Sequence, residues 1–268
     1  MLIISKLAVL LLFCSFHVLA SGINTLSSRL KPGGFYVGTV KPGTKVQYKD
    51  RRIRVSADGQ FIIGFGRDAD LEQSFSLIHK DGRSERISLA LKSREYDIQR
   101  INGVKKKYVQ PAPEVMQRIR TEAKAVGQSR QFDTAGKDFF SGFSQPAQGR
   151  ITGVYGSQRF FNGEPRRPHY GLDFAAPTGK PVIAAADGIV RLADKDLYFS
   201  GGTIVIDHGF GISSSYLHLS ALSVEEGDTV ERGQRIGEIG ATGRVTGSHL
   251  DWRVNWFDVR LDPALMMR

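Results

Sequence analysis

The alternation of apolar and polar residues in the first third of the chain predicts a series of short β-strands. The candidate strands cover residues 35–40, 45–48, 52–55, 61–65, 75–79 and 86–91. Asp58-Gly59 and Asp81-Gly82 separate neighbouring candidates, and hairpin turns favour this dipeptide because they need positive φ. Short strands with closely spaced turns are typical of a small antiparallel β-sandwich, which we expect over residues 21–105.

The pattern changes in the following segment, residues 106–148. Apolar residues at Val115, Ile119 and Ala123 recur at helical spacing and predict a helix over residues 114–126. A stretch rich in Gly, Ser and Gln follows the helix. We therefore expect a partly helical linker, and the sequence leaves open whether it packs over the C-terminal part of the chain.

A second β-rich region covers residues 149–268. Its candidate strands are residues 181–192, 202–207, 212–218 and 234–239, and glycine-rich turns separate them. No long helical pattern occurs in this region. The chain is therefore predicted to be mainly β, with a compact antiparallel β domain at its C-terminal end.

The first twenty residues have the pattern of a secretory signal peptide. Lys6 precedes an apolar run, residues 7–13, and Val18-Leu19-Ala20 is a small-residue cleavage pattern. The apolar stretch is too short to favour a membrane-spanning helix. Cys14, the single cysteine, lies in this segment, so the exported chain is expected to lack thiolate metal ligands.

The net charge of the chain excludes few classes of binding partner. The formal net charge of +10 favours acidic partners such as nucleic acid, anionic lipid or a carboxylate-rich polymer. The basic residues are dispersed, export is predicted and no matching motif occurs, and these features argue against nucleic acid as a partner.

Candidate chemistry is concentrated in the last hundred residues, which contain four of the six histidines. His169 and Asp173 are four residues apart, and zinc accepts both imidazole and carboxylate ligands. In the predicted strand after residue 247, His249 and Asp251 share one face while Leu250 points to the other. By the same alternation, His218 is expected on the face of Tyr216.

Several motifs of this region together resemble the lysostaphin-type (LytM-domain) zinc metallopeptidases. They are HYGLDFAAPTG from His169, PVIAAADG from Pro181, YLHLS from Tyr216, GDTV from Gly227 and GSHL from Gly247. The resemblance covers roughly residues 149–263. It implies an antiparallel β domain that binds Zn²⁺ and hydrolyses peptide bonds of the cell wall.

The resemblance also implies roles for single residues. His169 and Asp173 match the first two zinc ligands, His218 matches a catalytic histidine, and His249 matches the catalytic first histidine of the family's H-x-H motif. Asp251 stands where the family usually has the second histidine of that motif, its third zinc ligand. This substitution allows two interpretations.

In the first interpretation Asp251 replaces imidazole as the third ligand, and the protein is a periplasmic zinc endopeptidase that cuts peptide cross-links of peptidoglycan. In the second, the site is degenerate, and the protein binds the cell wall and activates another murein hydrolase. The expected partners are peptidoglycan stem peptides and other murein hydrolases or regulators. Candidate substrate contacts are Arg166, Arg167 and Tyr216, although two arginines on a solvated loop and a packed tyrosine explain the pattern equally well.

A carrier domain is a third class that shares part of the pattern. GDTV from Gly227 and the later glycines resemble biotinyl and lipoyl domains, which display a modified lysine at a hairpin tip. No lysine follows Lys195, so this interpretation is poor.

Overall fold

The structure is a computed structural model that describes residues 23–103 and 111–268. It consists mainly of antiparallel β-sheets, and the predicted mainly β fold is confirmed. The proposed signal peptide, residues 1–20, lies outside the described residues. Within the described part of the chain, no helix has the length and apolar character needed to cross a membrane.

Eight strands form the N-terminal region. They are β1 (Ile23–Ser28), β2 (Phe35–Val40), β3 (Lys45–Tyr48), β4 (Arg51–Ile53), β5 (Gln60–Gly64), β6 (Glu72–Ile78), β7 (Ser84–Ala90) and β8 (Ile98–Ile101). One sheet has the order β1-β2-β5 and another the order β4-β3-β6-β7. The six strands predicted here are present within a few residues of their expected bounds, whereas β1 and β8 were not predicted.

Helix α1 (Met116–Gln128) follows a short 3₁₀ turn at Pro113–Val115, close to the predicted helix. The helix packs against the C-terminal region, because Val126 contacts a buried cluster of Leu192, Leu197 and Val205. Glu122 also accepts the backbone N–H of Tyr198 at 2.8 Å. The helix of the connecting segment is therefore packed against the C-terminal region.

Twelve strands and a short helix form the C-terminal region. They are β9 (Arg150–Gly153), β10 (Gln158–Phe161), β11 (Glu164–Pro165), β12 (Leu172–Ala175), β13 (Pro181–Ile183), β14 (Gly188–Leu197), β15 (Gly201–Gly209), β16 (Ile212–Leu222), β17 (Thr229–Val230), β18 (Arg235–Ile239), β19 (His249–Trp256), β20 (Val259–Leu261) and helix α2 (Pro263–Met266). The main path of the large sheet is β17-β14-β15-β16-β19-β12-β9. Strand β19 thus lies between β16 and β12.

The N-terminal strands are tied directly to the C-terminal sheet. The rings of Tyr48 and Trp256 are 5.9 Å apart within one continuous apolar core. Arg94 forms a 2.6 Å ion pair with the buried Asp262, and β8 pairs in parallel with β10. These contacts place the end of the N-terminal region beside the face of the sheet that carries the candidate site.

Candidate metal centre and groove

A groove runs across the C-terminal sheet. Its walls are helix α1, strands β8 and β10 and the loop before β12, and its floor is formed by β12, β16 and β19. His169, Asp173, His218, His249 and Asp251 all line it. Residues separated by more than eighty positions are therefore brought to one face.

The pairing of β12 with β19 determines where the acidic residues lie. Asp173 and Asp251 are directly opposite each other in this antiparallel pair. His169 precedes β12, and its backbone N–H donates to the carbonyl of Ser157 at 2.9 Å. One donor atom from each of His169, Asp173 and Asp251 lies within 4.8 Å of the other two, and all three residues are buried. These three residues could together hold a metal ion.

Three buried atoms of this cluster make no hydrogen bond. They are Nδ1 and Nε2 of His169 and Oδ1 of Asp173, although Nε2 and Oδ1 are only 3.0 Å apart. A buried polar atom without a partner costs about 1–3 kcal/mol. A metal ion bound between the imidazole and the carboxylate would satisfy such atoms, so this donor set fits a divalent cation such as zinc.

Glycines beside the cluster leave room for the carboxylates. A Cβ atom at Gly153 would lie 2.1 Å from Asp173 Oδ2, and one at Gly171 would lie 2.0 Å from Asp251 Oδ1. Any other residue at these positions would displace a candidate ligand.

Two arginines that were not predicted from the sequence form ion pairs with the carboxylates of Asp173 and Asp251. Arg159 on β10 lies 3.2 Å from Asp173 Oδ2. Arg253 grips both oxygens of Asp251, with its Nε 2.9 Å from Oδ1 and its Nη2 bonded to Oδ2. Burial alone would raise the pKa of the Asp251 carboxyl, but Arg253 and then His169 outweigh burial and hold this pKa well below its ordinary value. Asp251 is therefore a carboxylate at neutral pH.

His218 and His249 lie next to the cluster, with ring centroids 4.9 Å apart. His218 Nδ1 donates to the carbonyl of Thr242 at 2.9 Å, and His249 Nδ1 donates to the carbonyl of Gly247 at 2.9 Å. Burial lowers the pKa of His218 to about 4. Its Nε2 is therefore an unprotonated proton acceptor at neutral pH.

The expected faces of β16 need a correction. His218 has a φ of 70°, which turns its side chain into the groove beside Leu217 instead of leaving it on the face of Tyr216. Tyr216 is fully buried, and its hydroxyl accepts the N–H of Ala185 at 2.9 Å. The expectation that Tyr216 contacts substrate was therefore wrong, because its side chain belongs to the core.

The other candidate substrate residues do line the groove. Arg166 and Arg167 lie on the loop that leads to His169, with Arg166 half-buried and Arg167 exposed. Gln158 donates its amide to the carbonyl of Arg166 at 2.6 Å, which fixes this loop against β10.

His208 lies outside the groove and has a structural role. Its Nδ1 donates to the carbonyl of Asp187 at 2.7 Å, and its Nε2 is 2.7 Å from the hydroxyl of Ser214. Burial lowers the pKa of His208 to about 4. The fourth histidine of this region is thus held neutral in the core.

We expect His208 to make the metal-free protein less stable in mild acid. The unfolded chain binds a proton near pH 6.5, whereas folded His208 binds one only near pH 4, so stability is full above pH 6.5 and is lost as pH falls toward 4. Within this window, His208 should contribute a slope of about 1.4 kcal/mol per pH unit. Urea unfolding in the presence of a chelator at several pH values measures the slope, and His208→Asn should reduce it; an unchanged slope would refute the assignment.

Comparison with known proteins agrees with this geometry. Residues 167–263 match the family described as Peptidase family M23. Over 87 residues the chain is 48% identical to Peptidoglycan DD-endopeptidase ShyA of Vibrio cholerae serotype O1, an alignment that covers 32% of this chain and 20% of that protein. Over 91 residues it is 44% identical to DD-carboxypeptidase/endopeptidase Mpg of Neisseria meningitidis serogroup B, covering 33% of this chain and 21% of that protein. The chain thus spans about a fifth of the length of these curated relatives.

A solved structure extends the similarity to the N-terminal strands. A crystal structure assigned to peptidase M23 from Pseudomonas aeruginosa superposes with a TM-score of 0.71 at 27% identity, covering 89% of this chain and 95% of that one. The matched segment, the antiparallel sheet and the converging histidines and carboxylates lead to one assignment: residues 167–263 form a domain of the peptidase M23 type.

Proposed function

We propose that the protein is a zinc-dependent endopeptidase that hydrolyses the peptide cross-links of peptidoglycan in the cell envelope. The convergence of His169, Asp173 and Asp251, with three of their buried polar atoms lacking partners, is the observation that carries this proposal. The name of the relative ShyA, a peptidoglycan DD-endopeptidase, supports the substrate class. His218 and His249 are the proposed catalytic residues.

In this proposal His169, Asp173 and Asp251 hold the zinc ion. Bound zinc would supply a Lewis acid for the peptide carbonyl and would acidify a water. A second carboxylate in place of imidazole would by itself weaken this effect by adding negative charge. Arg253 offsets that charge, because its guanidinium grips both oxygens of Asp251. Each oxygen keeps a second lone pair for a metal.

The two histidines supply proton transfer. Because the Nδ1 atoms of His218 and His249 donate to backbone carbonyls, each Nε2 is left as the proton acceptor. An Nε2 that faces the groove can take a proton from an attacking water and return it to the leaving amine. The carbonyls of Thr242 and Gly247 fix the tautomer that this exchange requires.

The organisation of the chain forms part of the proposal. Residues 1–20 would direct export to the periplasm, residues 21–105 would form an N-terminal β unit, and residues 106–148 would connect it to a peptidase unit at residues 149–268. Arg166 and Arg167 would contact the acidic stem peptides. Other murein hydrolases or regulators remain proposed partners.

One observation favours a second candidate function. Both oxygens of Asp251 are bonded to Arg253, so the buried pair is already neutral without a metal. If Asp251 served only as the partner of Arg253, the metal site would lack its third ligand. The protein would then bind peptidoglycan and regulate another hydrolase without cutting peptidoglycan itself.

Incubation with isolated murein sacculi distinguishes the two functions. We expect the zinc-loaded protein to convert cross-linked dimers to monomers, as measured by mass spectrometry of the released muropeptides. A chelator should abolish the conversion, and added zinc should restore it. Binding to sacculi without release, under all three conditions, would reject the endopeptidase and support the regulator.

A further inference from the structure

Among the described residues that line the groove, arginines outnumber carboxylates. Four carboxylates line it: Glu122, Asp173, Asp251 and Asp258. The arginines that line it are twice as many: Arg100, Arg130, Arg159, Arg166, Arg167, Arg244, Arg253 and Arg260. Asp173 and Asp251 are paired with Arg159 and Arg253, and Glu122 accepts from Arg118 outside the groove. Neither Arg130 nor Arg260 takes part in these ion pairs.

Two of these arginines are half-buried and form no ion pair with a described carboxylate. Among the described residues, neither Arg130 nor Arg260 has a carboxylate within ion-pair distance, and Nε of Arg130 has no hydrogen-bond partner. Burial, and then the charge of Arg253, lowers the pKa of Arg130 to about 10, and the carboxylate of Asp258 offsets only part of this shift. Burial, followed by repulsion from Arg130 and Arg253, holds the pKa of Arg260 well below its ordinary value. Holding like charges close together at partly buried positions is costly unless an anion binds between them.

These arginines lie close to the proposed metal centre. Arg260 is on β20, and its Nη1 donates to Asn255 Oδ1 at 3.0 Å, which fixes the guanidinium plane. Its Cζ atom lies 5.9 Å from the ring centroid of Tyr170, the neighbour of His169 in the sequence. Arg130 follows helix α1 and lines the same groove, and its charge lowers the pKa of Arg260, so the two guanidinium groups are near each other. A ligand whose peptide bond lies over the metal centre would therefore lie in the same groove as these arginines.

We propose that Arg130 and Arg260 form an anion subsite that binds a free carboxylate of the stem peptide. This inference rests on the proposed peptide substrate and specifies which substrates the groove accepts. Guanidinium forks suit planar carboxylates, and charge-assisted hydrogen bonds are strongest where water is excluded. A phosphate would satisfy the same groups, so the test includes it.

Binding is measured on the full chain kept metal-free with a chelator, so that no hydrolysis occurs. The probes are a stem-type peptide with a free side-chain carboxylate, the same peptide with that carboxylate amidated, and inorganic phosphate. We expect the free acid to bind about tenfold more tightly than the amide, the worth of one charge-assisted contact. Equal affinities would overturn the proposal, and so would phosphate binding more tightly than the peptide acid.

Variants assign the effect to this subsite. Arg260→Gln and Arg130→Gln should each remove most of the preference for the free acid, while leaving affinity for the amide unchanged. Arg150→Gln removes the same charge from an exposed strand outside the groove and should preserve the preference. A preference that survives both groove substitutions would overturn the proposal.

Thermal melting separates ligand binding from a structural role. Because Arg130 and Arg260 repel each other in the metal-free protein, at least one of the two glutamine variants should keep or raise the Tm without ligand. A fall in Tm for both would show that the arginines stabilise the fold and would count against the subsite. Hydrolysis without acid preference would reject only the subsite, whereas acid-dependent binding without hydrolysis would reject only the endopeptidase.

Discussion

His249→Ala is expected to reduce hydrolysis of cross-linked muropeptides by about 10²–10⁴-fold, the usual contribution of a general acid or base. The side chain is half-buried at the start of β19, outside the packed core, so its removal should leave the fold intact. His218→Asn is expected to have a similar effect. Asparagine tolerates the positive φ of 70° at this position, so this variant removes the imidazole while keeping the backbone.

Two measurements show whether these losses come from proton transfer. Bound zinc, determined by elemental analysis, should remain at the wild-type level, because neither histidine is a proposed ligand. His79→Ala removes a histidine from a hairpin far from the groove and should retain wild-type rates. If either groove variant cleaved sacculi at the wild-type rate, its histidine would have no catalytic role.

Local patterns in the sequence predicted most of the strands. Runs rich in apolar residues, together with the alternation at residues 52–55, predicted β2–β7, and glycine-containing turns separated several of them. In β19, Leu250 is buried while His249 and Asp251 line the groove, as the alternation predicts. Apolar periodicity and turn residues depend only on neighbours along the chain, so they can be recognised in the sequence before the fold is known.

The exceptions depend on contacts that the sequence does not display. His218 departs from strand alternation because one residue has a positive φ, which is uncommon for a residue other than glycine. Arg159 reaches Asp173 from a different strand, and no spacing rule connects the two positions. Arg253 could have been found, since it lies two residues after Asp251 and therefore on the same face of β19. Charge compensation within one strand is the signal that would have identified it.

Asp251→Asn is expected to lower zinc affinity by more than about 100-fold. Mutation of a residue that only orients a metal ligand already lowers metal affinity by about 10–100-fold, and loss of a ligand should cost more. Hydrolysis should fall in parallel, since Asp251 is one of three proposed ligands. Competition with a chromophoric chelator measures the affinity independently of activity. An unchanged zinc affinity would show that Asp251 is not a ligand and would favour the regulator.

Loss of the buried ion pair has to be distinguished from loss of the ligand. Removing one partner of a buried pair leaves the other charge uncompensated, which costs about 3–5 kcal/mol. The chain offers a matched control, because the buried Asp207 forms a 3.1 Å ion pair with Arg191 outside the groove. Asp207→Asn should lower the free energy of unfolding while leaving zinc affinity unchanged.

Arg253→Gln completes the comparison with Asp251→Asn. This variant keeps the carboxylate of Asp251 but removes its guanidinium partner. If Asp251 is a zinc ligand, zinc should still bind to this variant, and the bound ion should then balance the negative charge of Asp251. Zinc should therefore raise the Tm of Arg253→Gln by more than it raises that of the wild type. If Asp251 served only as a partner for Arg253, zinc would stabilise neither protein, and the double variant Asp251→Asn/Arg253→Gln would be at least as stable as each single variant. The two outcomes show whether Asp251, which stands in place of the second histidine of H-x-H, binds the metal or has lost that role.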